Sequence, residues 1–200
     1  MTNILNQNDM STIVSAVKKG QLVAFPTETV YGLGIEFNNV NALEKLMEAK
    51  NRDYSKAITL MVAKKDDIEK YAYVNDNARK IIDAFMPGMI TLVFNKKESV
   101  SDVMTHGKQT IGIRIPDSQF VLELLENAGP MLVTSANLSN HPNTTTTKEV
   151  LAQLEGRIDV VVDGVANSTT ASTVVDVTNE DIKILREGII TLKDIEGVLK

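Results

Sequence analysis

Four short clusters carry most of the groups that could bind charge, and each lies where an apolar run gives way to polar residues. The first is Phe25-Pro26-Thr27-Glu28-Thr29-Val30-Tyr31-Gly32-Leu33-Gly34. Proline stops a strand, hydroxyls follow, and a glycine pair permits close backbone approach. The second is Lys50-Asn51-Arg52 at the end of a helical pattern. Its ordinary reading is a pair of cations favouring the helix C-terminal dipole, worth about a few tenths of a kcal/mol. The third, Thr134-Ser135-Ala136-Asn137 after Met131 to Val133, is on its own an ordinary turn. The fourth is Ala171-Ser172-Thr173-Val174-Val175-Asp176, with Arg186-Glu187-Gly188 ten residues on. Gathered into one cleft, the cations could bind a phosphate group.

The familiar alternatives for phosphate, acyl or metal chemistry fail on spacing. Gly107-Lys108-Gln109-Thr110 resembles the end of a Walker A loop, but its first glycine would fall at Asp102. Gly32-Leu33-Gly34 opens a dinucleotide fingerprint whose third glycine is Phe37. There is no GxSxG elbow. His106 and His141 are the only histidines, both expected in loops without a second ligand at metal spacing, so they read as solvated surface residues. A metal is expected only as Mg²⁺ carried by a polyphosphate, held by oxygen ligands and water.

Composition bounds the setting. Two hundred residues with 43% hydrophobic content suffice for one domain with one core. Having no cysteine excludes disulfides, thiolate zinc sites and thiol nucleophiles and fits a reducing compartment. The first twenty residues lack the basic-then-apolar order of a secretory signal, and no apolar run approaches the ~20 residues a membrane span needs. Cytoplasmic placement without membrane attachment is the expectation. Lys plus Arg number 21 against 26 Asp plus Glu, a net of -5, so the long-range field opposes polyanions. Beyond about 10 Å that field is screened, which leaves a local basic cleft free to act.

The elements that must position the clusters follow from periodicity. Strands are expected at Leu22 to Phe25, Ala57 to Val62, Met89 to Phe94, Ile111 to Ile115, Met131 to Thr134, Ile158 to Val162, Thr173 to Val177 and Ile182 to Leu185. Helical faces run through Val40, Leu43, Leu46 and Met47, through Ala78, Ile81, Ile82 and Phe85, and through Val121, Leu124, Leu125 and Ala128. Asn75 marks one helix start, and Thr146 with Glu149 forms a capping box ahead of Val150, Leu151 and Leu154. Pro87-Gly88 and Gly129-Pro130 mark stops. The mixture predicts an α/β or α+β domain with a mixed sheet. Asn140-His141-Pro142-Asn143 and Thr144 to Thr147 read as a polar surface loop, with a mobile flap over a site as the functional alternative.

Taken together, in this order and spacing, the clusters resemble the YrdC-type threonylcarbamoyl-AMP synthases. The matching pieces are FPTETVYGLG at 25 to 34, KNR at 50 to 52 for the family's Lys-x-Arg, GIRIP at 112 to 116, SAN at 135 to 137 for its Ser-x-Asn, and STVVD at 172 to 176. The likeness runs from about Gly20 to Gly188 and is to the short members, with one domain over residues 1–200.

The resemblance implies a twisted open sheet flanked by helices, with a concave, locally positive face. It implies condensation of L-threonine, bicarbonate and ATP, with Mg²⁺, into threonylcarbamoyl-adenylate and pyrophosphate. A partner complex would then transfer the threonylcarbamoyl group to tRNA, with transient tRNA contact. Carried over residue by residue, Lys50 and Arg52 act on the phosphates, joined by Lys56. Ser135 and Asn137 bond the nucleotide, with Thr110 and Arg186 near it. Thr29, Arg114 and Ser172 bind threonine. An ammonium and a planar guanidinium so close in sequence suit one polyphosphate. Three departures stand out: Met61 where relatives often have histidine, and Glu187 and Thr134 where proline is usual. Fold alone leaves two other readings, an enzyme making a different carbamoyl-adenylate and a noncatalytic tRNA-binding module.

Overall fold

Successive side chains on a strand face opposite ways, and that alternation decides which helices each face of the sheet receives. On β2 (Val23–Phe25), Val23 and Phe25 pack with Ile13, Ala16 and Val17 of α1 (Met10–Lys18), while Ala24 joins the larger cluster on the other side. The structure is a computed structural model describing residues Met1–Lys200. Its other strands are β1 (Asn3–Leu5), β3 (Gly32–Glu36), β4 (Thr59–Met61), β5 (Ile90–Asn95), β6 (Thr110–Arg114), β7 (Met131–Ser135), β8 (Val160–Val162), β9 (Thr173–Asp176) and β10 (Lys183–Arg186). They form one sheet in the order β1-β8-β2-β3-β7-β4-β6-β5-β9-β10. β1, β8 and β2 run parallel, as do the pairs β4–β6 and β5–β9, and the other neighbours are antiparallel. This is the mixed sheet that the sequence predicts.

The remaining helices are α2 (Val40–Ala49), α3 (Lys65–Tyr71), α4 (Asp76–Phe85), α5 (Gln119–Ala128), α6 (Thr147–Leu154) and α7 (Leu192–Leu199). Their caps are those the side chains can make. The Asn75 side chain accepts from Ala78 N at 2.8 Å, and Thr146 and Glu149 form the full capping box of α6. Apolar residues of α2, α4 and α6 join Leu60, Leu92, Ile113, Leu132 and Val161 in the larger core. α1 and α5 cover the opposite face, where Val121, Leu124 and Leu125 meet Phe25, Met131, Val133 and Met61.

That second cover is partial, and the site exists because of it. The apolar cluster beneath α1 and α5 ends at Met61. Thr59, two residues back on the same face, pairs with Gly112, which pairs with Val93; Thr91 pairs with Val174. These residues line open cavities instead of a helix interface.

Two strands and three helices lie outside the sequence-based expectations. β1 is three residues within polar sequence, and α1, α3 and α7 have β-branched or densely charged stretches that blur the helical period. β3 was hidden by its glycines, which serve side-chain packing. A Cβ on Gly34 would lie 2.7 Å from Met131 Cε and 2.8 Å from Phe25 Cε1, and one on Gly32 would lie 2.9 Å from Val133 Cγ1. The polar stretch at 144 to 147 is also not a free surface loop. Thr144 is fully buried, donating to Ala136 O at 2.9 Å and accepting from Tyr31 N at 2.9 Å, while Thr146 caps α6. Of that loop only residues 140 to 143 are exposed.

Candidate functional site

The β2–β3 connection builds one wall from its own hydroxyls. Thr27 Oγ1 donates to Val30 O at 2.8 Å and accepts from Thr29 N at 3.0 Å. Since the single Thr27 hydroxyl proton is committed, its 2.9 Å bond to Thr29 Oγ1 must be donated by Thr29. Thr29 therefore presents acceptor lone pairs to the cavity it lines. The cavity measures about 280 Å³, and its floor is the uncovered sheet: Thr59 and Met61 of β4, Thr91 of β5 and Arg114 of β6.

Three guanidinium groups, those of Arg52, Arg114 and Arg186, line this space, and no carboxylate does. Arg114 is 5% exposed, and its Nη2 donates to Glu28 Oε1 at 2.6 Å. The same oxygen accepts from Asp117 N at 2.8 Å. Arg186 donates from Nε and Nη2 to Ser172 O at 3.0 and 2.8 Å, and Nη2 also reaches Ser172 Oγ at 3.1 Å. Burial, and then the nearby Arg114, push the Arg186 pKa down. Arg52 bonds Ala57 O at 2.8 Å, its Nε is buried without a partner, and burial lowers its pKa too. Partly desolvated cations of like sign held together disfavour their own charged forms, so an anion placed among them relieves the site.

The other candidate residues divide between this cavity and its surroundings. Ser135 lines it beside Ser172, whose hydroxyl lies 2.9 Å from Thr91 Oγ1. Thr110 lines an adjoining cavity of about 150 Å³ that shares Ala57, Thr59, Thr91 and Arg186 with the first. Lys50, Lys56 and Asn137 are not among the lining residues. Lys50 is 1% exposed and donates through Nζ to the carbonyls of Ser135 and Asn137. Its partners thus belong to the end of β7 and the turn after it, which replaces the helix-dipole reading of the Lys50-Asn51-Arg52 cluster for this residue. Burial, then Arg52 and Lys56, lower its pKa to about 7. Asn137 donates to Leu138 O and His141 O at 2.9 and 2.8 Å, leaving its buried Oδ1 without a partner. Lys56 is exposed and bonds Asn140 Oδ1 at 2.8 Å.

One histidine departs from expectation. His141 is exposed, but His106 is half-buried, with Nε2 enclosed and unpartnered and its ring edge-on to Tyr54 at 5.0 Å. Burial, then Arg52 and Lys108, lower its pKa, which disfavours the imidazolium form. The isolated histidine gave no sign of this because its neighbours come from a distant loop. Sequence reasoning also assigned no role to Glu28, Thr59 and Thr91. The signal for the threonines was present: each is a polar residue inside an apolar run, at a position facing the side opposite the core.

The Sua5, YciO and YrdC family profile, described as "Telomere recombination", matches residues 15–188. A Pyrococcus abyssi protein named threonylcarbamoyl-AMP synthase is 36% identical over 186 residues, covering 92% of this chain and 55% of that protein. The crystal structure of P. abyssi Sua5 complexed with L-threonine superposes with a TM-score of 0.94 at 33% identity, over 99% of this chain and 61% of that one. E. coli YciO superposes with a TM-score of 0.89 at 25% identity, over 98% of this chain and 100% of that one. The chain therefore spans just over half the length of the P. abyssi synthase and the full length of YciO.

Proposed function

The chain belongs to the Sua5/YciO/YrdC family, and from that premise we propose that it is a threonylcarbamoyl-AMP synthase. It would condense L-threonine, bicarbonate and ATP into threonylcarbamoyl-AMP, releasing pyrophosphate and water. The observation that supports this most is the convergence of Arg52, Arg114 and Arg186 with the hydroxyls of Thr29, Ser135 and Ser172 on one carboxylate-free cavity. Such a lining suits two anionic reactants and has no group that would repel them.

The roles proposed are those the family resemblance implies. Arg114 takes the threonine carboxylate, and Ser172 and Thr29 complete that end, Thr29 as an acceptor for a substrate N–H or O–H. At the other end Arg52 presents a planar fork to phosphate oxygens. Arg186 lies close to Arg114 and lines the same cavity, and Ser135, Asn137 and Thr110 bond the nucleotide, with Lys56 as a further cation. Once threonine's amine has been carboxylated, a carbamate oxygen attacks the α-phosphorus and the bond to the β-phosphate oxygen breaks. Charge grows on the phosphoryl oxygens and on pyrophosphate, where fixed guanidinium groups stabilise it without reorganising. Lys50 acts at the base of the same turn, holding the Ser135 and Asn137 carbonyls and adding positive charge when protonated.

Mg²⁺ fits as a passenger on the polyphosphate. The lining offers hydroxyl and amide oxygens, those of Ser135 and Asn143 among them, but no carboxylate, so phosphate oxygens and water would supply most of its shell. The ion would neutralise the departing pyrophosphate. The product is an activated acyl-adenylate, which suits transfer to tRNA by a partner complex.

The test is pyrophosphate release with each component withheld in turn. Release should require threonine and bicarbonate together. Equal release without bicarbonate would remove the carbamate step and leave plain amino-acid adenylation.

A further inference from the structure

We propose that Glu28 is a positioning residue for the amino-acid substrate, anchoring one nitrogen of the Arg114 guanidinium so that the rest of the fork addresses the cavity. The proposal rests on the threonine reading above and adds to it the residue that sets the angle of the carboxylate clamp.

Four observations carry it. Glu28 and Arg114 are each 5% exposed and form the shortest ion pair of the protein, at 2.6 Å. Glu28 Oε1 accepts a second bond, from Asp117 N at 2.8 Å, so one oxygen ties the β2–β3 connection, the end of β6 and the turn into α5. Arg114 lines the cavity and Glu28 does not, so Glu28 acts through the arginine and not on the ligand. Lastly, the pairing is incomplete: Glu28 Oε2 and Arg114 Nε are both buried without partners.

The incompleteness is informative. A guanidinium and a carboxylate satisfy each other best by two parallel N–H···O bonds, and burying the leftover donor and acceptor is unfavourable. A pair kept only for stability would close both bonds, and a buried ion pair adds little net stability in any case. Here Nη2 is anchored on an oxygen that a backbone N–H also fixes and Nε is enclosed, which leaves Nη1, neither bonded nor enclosed, for another anion in the cavity that Arg114 lines. Arg114 is also close enough to Arg186 to lower the latter's pKa, so the two cations repel and the Glu28 bond opposes their separation.

Two substitutions at Glu28 separate geometry from charge. Glu28→Asp keeps the charge but is one methylene short of Arg114, whereas Glu28→Gln loses the charge but keeps an acceptor oxygen at the same reach. Positioning predicts that Glu28→Asp raises the threonine KM by on the order of tenfold while the ATP KM stays within about twofold, because one substrate alone loses its oriented partner. Glu28→Gln should lie closer to wild type. In an Arg114→Ala background, Glu28→Asp should change the threonine KM no further. A purely electrostatic role inverts the order of the two variants, and a merely structural role shifts both KM values together or lowers Tm alone. Either result overturns the proposal, as does an additive double mutant. Should Glu28→Asp fail to unfold cooperatively, a folded Glu28→Gln with a strongly raised threonine KM still contradicts it. Wild-type protein is the control. If its pyrophosphate release does not depend on threonine, the underlying reading fails, and that outcome is distinct from the failure of Glu28.

Discussion

Lys50 shows how far burial can move a residue from the chemistry its sequence position suggests. In sequence it is a cation at the end of a helix; in the fold its Nζ lies between two carbonyls, one at the end of β7 and one in the turn after it, with a pKa near 7 in place of 10.5. The unfolded chain binds more protons than the folded chain between those values, so folding stability rises as pH increases from about 7 towards 10.5. Below pH 7 the cost of burying the ammonium is present in full. Thermal unfolding should therefore show Tm rising above pH 7, and Lys50→Met should flatten that rise whatever its own Tm. An unchanged slope would mean that Lys50 titrates normally. Residue types were legible at this scale: the arginines, hydroxyls and asparagine of the short clusters all lie in or beside one cleft. What could not be read was pairing. Glu28 finds Arg114 across 86 positions, and the surroundings of His106 come from the 50–57 loop.

Elements were readable wherever the signal is local. The caps at Asn75 and Thr146 depend on neighbours three residues away, and the helical faces of α2, α4 and α5 repeat within ten residues, so they survive folding unchanged. β3 failed that test, since its glycines make sense only once Phe25, Met131 and Val133 are stacked against them. Gly188 is the sharper case. A Cβ there would lie 2.6 Å from Thr173 N and 2.7 Å from Ala171 O, both backbone atoms flanking Ser172. Gly188→Ala must displace that segment, because turning away the Thr173 side chain, whose Oγ1 would lie at 2.8 Å, leaves both backbone contacts in place. We expect destabilisation of about 1–3 kcal/mol, typical of forced overpacking, together with a raised threonine KM. Unfolding and steady-state kinetics on one preparation check both; wild-type values would mean that the segment is free to shift.

At the scale of the whole molecule, two helices cover only part of one sheet face, and the bare remainder becomes the floor of the cleft. Strand order, and with it the location of that gap, depends on pairings between distant segments such as β5 with β9, so periodicity alone predicts a mixed sheet without its order. The net charge of -5 gave equally little warning of three arginines lining one cavity. No helix is long and apolar enough to cross a membrane. The measurement that tests the account most directly is mass spectrometry of the product made from ATP, L-threonine and ¹³C-labelled bicarbonate. The account predicts an adenylate containing threonine and the labelled carbon together, formed in step with pyrophosphate. A threonine adenylate without the label, or no adenylate at all from a folded protein, would contradict it.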